Sequence, residues 1–392
     1  MKSKRRAIIT ALLISAIFIV FFAPLRNASA GEFSDACFYM KSKWENERLS
    51  ALQTFAELDD ERAVPFVLKG IGDPAPAVRT RAAAVLIKLG HINDRVSVPA
   101  ILAQIAEEAD AKALEELIYA LGTFTDSENT AMSFKNDFKN YKREQKYAVV
   151  DAMIPLISRH RLAYTRFFEI VRAAAVTPDD DLLRLHAVIN MGEFGDAEFV
   201  LKPLLRTLGD KNDEVRAVTC KYLGDLKHFS SLNPLILRGL NDVSPAVRRA
   251  AVIAVGNYNH PDTFEFFQKV LAGDVDGEVR GEAALAFIGL RDRRAIRPLK
   301  NLGLVDSANV VRLNSAYALT TFGNSDGEGV LLWFLWEQNL ATYRRRAVSG
   351  LANIRSRTVI SHLQRALSDW DDAVRDTAFY ALRNKWGYNI TQ

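Results

Sequence analysis

Cysteine is almost absent from this 392-residue chain: Cys37 and Cys220 are the only two. A bridge between them would need Cα atoms within about 7 Å, and nearly half the chain separates them. Two free thiols are therefore expected, with Cys220 in an apolar setting where such a group behaves as a small hydrophobe. Ser34, Asp35 and Ala36 ahead of Cys37 do not form a lipoprotein processing site. The six histidines (His91, His160, His186, His228, His260, His362) include no H-E or H-x-x-x-H pair, which leaves no metal-ligand pattern. G-x-S-x-G, P-loop and dinucleotide fingerprints are missing in any strand-to-helix context, and no nucleophile stands beside a plausible base. The sequence thus predicts no catalytic residues, no metal and no cofactor.

Net charge is also scarce once its location is considered. The chain holds 51 Lys and Arg against 47 Asp and Glu, but five of the basic residues and none of the acids fall within residues 1–30. The remainder is close to neutral and offers no electrostatic footprint for nucleic acid, whose binding depends on neutralising phosphates.

Those first thirty residues carry a basic start (Lys2, Lys4, Arg5, Arg6), an apolar run from Ala7 to Ala23, and Ala28-Ser29-Ala30 ahead of Gly31. This order predicts a Sec-type secretory signal with an A-x-A cleavage site, and hence a periplasmic protein. The apolar run stops just short of the roughly 20 residues that span a bilayer. An uncleaved anchor is the alternative, and it would be the one membrane contact.

What the chain does have is a repeat. Arginine recurs every 32 residues at Arg184, Arg216, Arg248, Arg280, Arg312 and Arg344, and again at Arg375. Weaker copies centre on Arg79 and Arg48, and degenerate ones near Leu114 and Lys146, for about eleven units over residues 31–392. A fixed period of this size marks stacked supersecondary units rather than two or three globular domains.

Within each unit, apolar residues at −1, +3, +4 and +7 from the arginine share one helical face, as Val247, Ala251, Val252 and Val255 show. This is helix B. A second amphipathic stretch precedes it, as in AEFVLKPLLRTLGD, and forms helix A, with glycine or asparagine marking the turns. Ala250, Ala251, Ala283 and Ala284 allow close helix approach. Six residues ahead of most arginines stands an aspartate (Asp73, Asp210, Asp242, Asp274, Asp306, Asp369), which suggests a charge pair inside each unit. Residues 123–182 break the rhythm and hold Lys135, Lys139, Lys142, Arg143, Arg159, Arg161 and Arg166, which read as a solvated irregular repeat or as a contact for an acidic partner or an anionic membrane surface.

The phrase D-x-x-x-x-V-R-x-x-A resembles the HEAT repeat, and the short period is similar to the HEAT-like units of the phycobilisome lyases. The resemblance covers roughly residues 45–387 and is strongest from Asp179 to Gly289. It implies an all-α, right-handed solenoid in which the Asp and Arg columns form a structural ladder between adjacent repeats: Asp210, Arg216, Asp242, Arg248, Asp274, Arg280, Asp306 and Arg312. It also implies that helix B lines the concave surface. The His-Glu pairs of the HEAT-like deoxyhypusine hydroxylases have no counterpart.

On helix B, positions +1 and +5 point away from the core face and would normally be polar. Several are apolar: Leu185, Ile189, Ile253, Leu285, Leu313, Tyr317 and Tyr380, with Lys221, Arg249, Arg345 and Arg346 at the margin. Apolar anchors edged by arginine suit a protein-binding patch, although burial between tightly stacked helices would explain them equally. Trp333 is expected on the surface, and Trp336, aligned with Leu304 and Ala272, in the core. The reading is a non-enzymatic scaffold or adaptor in the bacterial cell envelope with a protein or peptide partner. The alternatives are a bilin lyase, which export disfavours because such lyases act inside the cell, and a purely structural envelope protein.

Overall fold

A computed structural model describes residues 30–89, 94–123, 164–336, 338–354 and 356–387, with single positions between 138 and 151. The signal segment, His91, His160, Lys135, Lys139, Arg159 and Arg161 lie outside the described residues. The chain divides into two compact units, Met1–Ala148 and Val149–Gln392. The sequence suggests one solenoid over residues 31–392 that is irregular around 123–182, and the division falls inside that irregular stretch.

Among the described residues every element is helical and no strand occurs. The first unit pairs Ala30–Tyr39 with Glu45–Leu58, Val64–Ile71 with Pro76–Lys88, and Asp94–Glu107 with Ala111–Thr123. The second unit runs from Tyr164–Ala174 and Asp181–Phe194 to Arg357–Ala366 and Asp372–Tyr380. Each pair is the A–B unit that the 32-residue period predicts. No described helix is long and apolar enough to cross a membrane.

Helix B starts where the sequence can satisfy its free amides. Asn212 accepts from the Val215 amide, Asp276 from Glu278 and Val279, and Asp371 from Val374, while Pro245 opens its helix at a position that needs no donor. The ends are less regular than the sequence suggests. Besides Gly195 and Gly323, Lys227 and Arg291 take left-handed φ of 52° and 53°, a conformation that costs an L residue about 1–2 kcal/mol.

The face at −1, +3, +4 and +7 is the core: Val247, Ala251, Val252 and Val255 are each fully buried. Ala283 and Ala284 are buried as well, whereas Ala250 is only half-buried. Small residues set the spacing between successive B helices. A Cβ added to Gly224 would lie 2.6 Å from both Cα and Cβ of Ala254, so the two backbones meet there without room for a methyl group.

The arginine column supplies the other constraint. Arg216 Nε and Nη2 donate to both oxygens of Asp242 at 2.9 and 2.8 Å. Arg248 grips Asp274 at 2.8 and 2.9 Å, and Arg280 grips Asp306 at 2.8 and 2.7 Å. Arg184–Asp210, Arg344–Asp369, Arg48–Asp73 and Arg79–Glu108 repeat the fork. The carboxylate belongs to the next unit in every case. Where an aspartate stands six residues before the arginine, it offers its main-chain carbonyl instead: Arg216 Nη1 donates to Asp210 O at 2.8 Å and Arg248 Nη1 to Asp242 O at 2.9 Å. The charge pair inside each unit is thus corrected to a bond between units, because the guanidinium points along the stack.

Each aspartate is itself held by the amide two residues on, Asp242 by Ser244 at 3.0 Å and Asp274 by Asp276 at 2.9 Å. Burial alone would raise the Asp242 carboxyl, but the Arg216 bond, the Ser244 amide and the Arg216 charge outweigh it and hold the group below the usual carboxylate range. Asp210, Asp274, Asp306 and Asp369 are lowered by the same balance.

Two outcomes follow from this geometry. Asp242→Asn leaves the Arg216 guanidinium in a nearly closed site and should destabilise the protein by about 3 kcal/mol. A carboxyl lowered on folding stabilises the native state above its unfolded value near pH 4 and loses that contribution as pH falls through the lower native value. The melting temperature should therefore drop steeply below about pH 4, and less steeply in Asp242→Asn; equal acid slopes in the two proteins would contradict the ladder's role. Gly224→Ala should cost about 1–3 kcal/mol through overpacking against Ala254, measured by urea denaturation, and an unchanged midpoint would show that the helices can separate freely.

Candidate functional site

The B-helix face of the second unit carries the residues that the sequence singles out. At +5 from each arginine stand Ile189, Lys221, Ile253, Leu285, Tyr317, Ser349 and Tyr380. Ile189 is 37% exposed, Ile253 44% and Tyr380 57%, while Leu285 and Tyr317 are half-buried and Leu185, at +1, is half-buried too. Apolar side chains are thus presented to solvent in several repeats, and the column is interrupted by Lys221, which pairs with Asp225 at 3.2 Å and lies over the Tyr222 ring at 3.7 Å.

Leu313 does not belong to this surface. It is fully buried, packed in the cluster that contains Leu331, Phe334, Ala347 and Val348. Its expected partner-binding role is corrected to a core role, because the following A–B pair covers the +1 position in this repeat.

The marginal arginines are also differently employed. Arg249 reaches forward to Glu282, with Nε and Nη2 at 3.0 and 2.6 Å from one carboxylate oxygen, and that bond raises its pKa. Arg346 donates to the Asn314 side-chain oxygen, and Asn314 Nδ2 donates to Gly281 O at 2.9 Å. Further along, Asn353 bonds Thr320 at 3.2 Å and accepts from Lys385. These links form a second inter-repeat series on the B face. Arg345 stays exposed, with no acidic partner among the described residues.

At the start of the second unit, His186 Nδ1 lies 2.8 and 3.0 Å from the Asp151 carboxylate, which also accepts from Asn190 at 3.1 Å. The pair joins neighbouring helices, and sequence separation concealed it. Tyr222 likewise crosses to Glu193 at 3.0 Å, with its ring seated on Gly192.

Cys220 is fully buried and its thiol is pushed up to about 12 by burial, first, and by the charge of Asp242; Cys37 is half-buried, and both are free. Among the described residues no group of His, Cys, Asp and Glu could hold a metal ion. Lys142 and Arg143 of the basic stretch are exposed, and Arg143 lies 5.7 Å from the Tyr147 ring centroid.

The two tryptophans end up on the same side of the expectation. Trp333 is 44% exposed and Trp336 57%. The core placement expected for Trp336 is corrected: the helix Glu328–Phe334 is only seven residues long, Leu331 and Phe334 fill its core positions, and the chain has turned outward by Trp336.

A profile described as HEAT repeats matches residues 40–125 and 232–320, and one described as the PBS lyase HEAT-like repeat matches 343–369. No curated protein gives a sequence match. Among solved structures, Kap121p bound to Pho4p superposes with a TM-score of 0.67 at 12% identity, over 93% of this chain and 47% of that one. The karyopherin Kap121p bound to the extreme C-terminus of the protein phosphatase Cdc14p gives 0.66 at 12%, over 93% and 47%, and Kap121p bound to Ste12p gives 0.66 at 13%, over 92% and 46%. The chain therefore spans about half the length of these structures, and the likeness is one of fold. With its repeated A–B pairs, its arginine fork and the matching profiles, the chain is a HEAT-repeat protein.

Proposed function

We propose that the chain is a non-enzymatic protein-interaction scaffold of the bacterial cell envelope, exported by its N-terminal segment, that binds a protein or peptide partner on the B-helix face. The observation that carries this reading is the exposure of Ile189, Ile253 and Tyr380 on a face where Arg249, Asn314 and Arg346 are engaged in bonds between repeats. Such a face is rigid and partly apolar, so binding would not require ordering its side chains. Kap121p, a structure of the same fold, is captured with Pho4p, Ste12p and a Cdc14p terminus, which favours a protein or peptide as the occupant here. Fold alone does not carry function; the exposed apolar column is the local argument.

A bilin lyase is the second reading, favoured only by the profile match at 343–369. Covalent transfer of a bilin to an acceptor protein would replace the scaffold reading with it.

Crosslinking and affinity capture from intact expressing cells, comparing wild type with an Ile253→Glu, Tyr317→Ser variant of unchanged helicity, tests the surface. Loss of one envelope protein from the variant's captured set is expected; identical sets would sink the reading. For the exported form, N-terminal sequencing should begin at Gly31, and a chain that retains residues 1–30 in the membrane fraction would make the segment an anchor instead.

A further inference from the structure

The first helix pair of the first unit exposes a surface unlike that expected of a solenoid end, where an uncovered repeat is ordinarily polar. Phe38 is 73% exposed, Trp44 58% and Tyr39 43%, three large aromatic side chains within seven residues. Lys41 and Lys43 are exposed between them, and residues 38–44 contain no acid. Asp35 and Glu45, both exposed, flank the stretch.

The patch is held in place. Helix Ala30–Tyr39 docks through Ala36, which is buried, and through the Phe33 ring, whose centroid lies 5.6 Å from that of Phe55 and 6.2 Å from that of Phe66. Phe38 and Tyr39, at the end of that helix, stay outside. The turn that follows is bonded throughout. The Lys41 amide donates to Phe38 O and the Ser42 amide to Tyr39 O, each at 3.0 Å. Ser42 O accepts from Arg48 Nη1 at 2.9 Å, and the Ser42 hydroxyl accepts from the Trp44 amide at 3.1 Å. Trp44 occupies the N-cap position of helix Glu45–Leu58, where it makes no side-chain bond, whereas Asn212, Asp276 and Asp371 cap theirs. Ala75 and Ala308 forgo the cap as well, but they add only a methyl group. Lys43 Nζ lies 4.8 Å from the Trp44 ring centroid.

The chain that precedes this helix indicates what meets the patch. The apolar run from Ala7 to Ala23 ends seven positions before Ala30, so even a fully extended link places the start of the helix within about 25 Å of that run. While residues 7–23 lie in the bilayer during export, the first helix pair is the folded part nearest to it. Tryptophan and tyrosine rings partition to the headgroup level of a bilayer, and lysine extends its ammonium from an apolar surface into the headgroups.

We propose that Phe38, Tyr39 and Trp44 insert into the surface of the bilayer that the chain has crossed, with Lys41 and Lys43 meeting anionic headgroups, and that this contact persists after residues 1–30 are removed. It is separate from the B-helix face of the second unit and does not depend on the scaffold reading.

Flotation of the chain beginning at Gly31 tests it, with one set of vesicles of phosphatidylethanolamine and phosphatidylglycerol and another of phosphatidylcholine alone. The chain should float with both, and more tightly with the first. Phe38→Ser combined with Trp44→Ser should weaken binding to either by about tenfold or more, from the apolar area withdrawn. Serine at position 44 supplies the missing cap, so the melting temperature should not fall. Lys41→Gln with Lys43→Gln should remove the preference for the phosphatidylglycerol vesicles. Ile253→Glu should float as the wild type does, which separates failure here from failure of the B-face reading. A chain that floats with neither set leaves the patch to a protein or to residues 1–29 and overturns the proposal. So does an aromatic double variant that floats as well as wild type, or a phosphatidylglycerol preference that survives loss of both lysines.

Discussion

A guanidinium has five N–H donors and no acceptor, so burying one is tolerable only where each face meets an oxygen. The repeat solves this by dividing the donors between two units. Nη1 of Arg216 is given to a carbonyl of its own turn, and Nε with Nη2 to a carboxylate of the following turn. Because that carboxylate is also fixed by the amide of Ser244, the arginine of one repeat sets the entry to helix B of the next. The stack depends on this bond for its spacing at the turn edge. Apolar burial, which has no direction, supplies cohesion but could not by itself fix the rotation of one pair on another.

The opposite edge of each helix pair is set by size. Gly224 against Ala254 and Gly192 against the Tyr222 ring bring B helices close enough for bonds such as Arg249 to Glu282 and Asn314 to Gly281 O to span repeats. Charge pairing at the turns and small residues along the helices thus act on the same interface from two ends. Mutual support of this kind is what lets a quasi-one-dimensional fold hold its nearest-neighbour order.

Function is left to what these demands do not consume. Arg249, Asn314 and Arg346 of the B face are engaged across repeats, and the exposed side chains there include apolar ones at +5, chiefly Ile189, Ile253 and Tyr380. At the turns, Arg184, Arg216, Arg248, Arg280 and Arg344 each hold a carboxylate of the following repeat, and Trp336 and Leu340 are exposed. Surfaces that depart from the packing rule are where a repeat protein can acquire a partner without losing its stack.

The sequence by itself determined the period, the A–B pairing and the core face, since a 32-residue recurrence and the offsets −1, +3, +4 and +7 are properties of one helix and its own turn. The arginine and aspartate columns were legible for the same reason. Only the tertiary structure decided which aspartate each arginine holds, because the nearer one in sequence presents its carbonyl and the farther one its carboxylate. It also decided that Leu313 is buried while Ile253, on the same helical flank in another repeat, is exposed. An offset specifies the direction of a side chain from its own axis; whether that direction ends in solvent depends on the neighbouring pair. Trp336 shows the converse, since a helix that stops at Phe334 releases from the core a residue whose alignment would have kept it there.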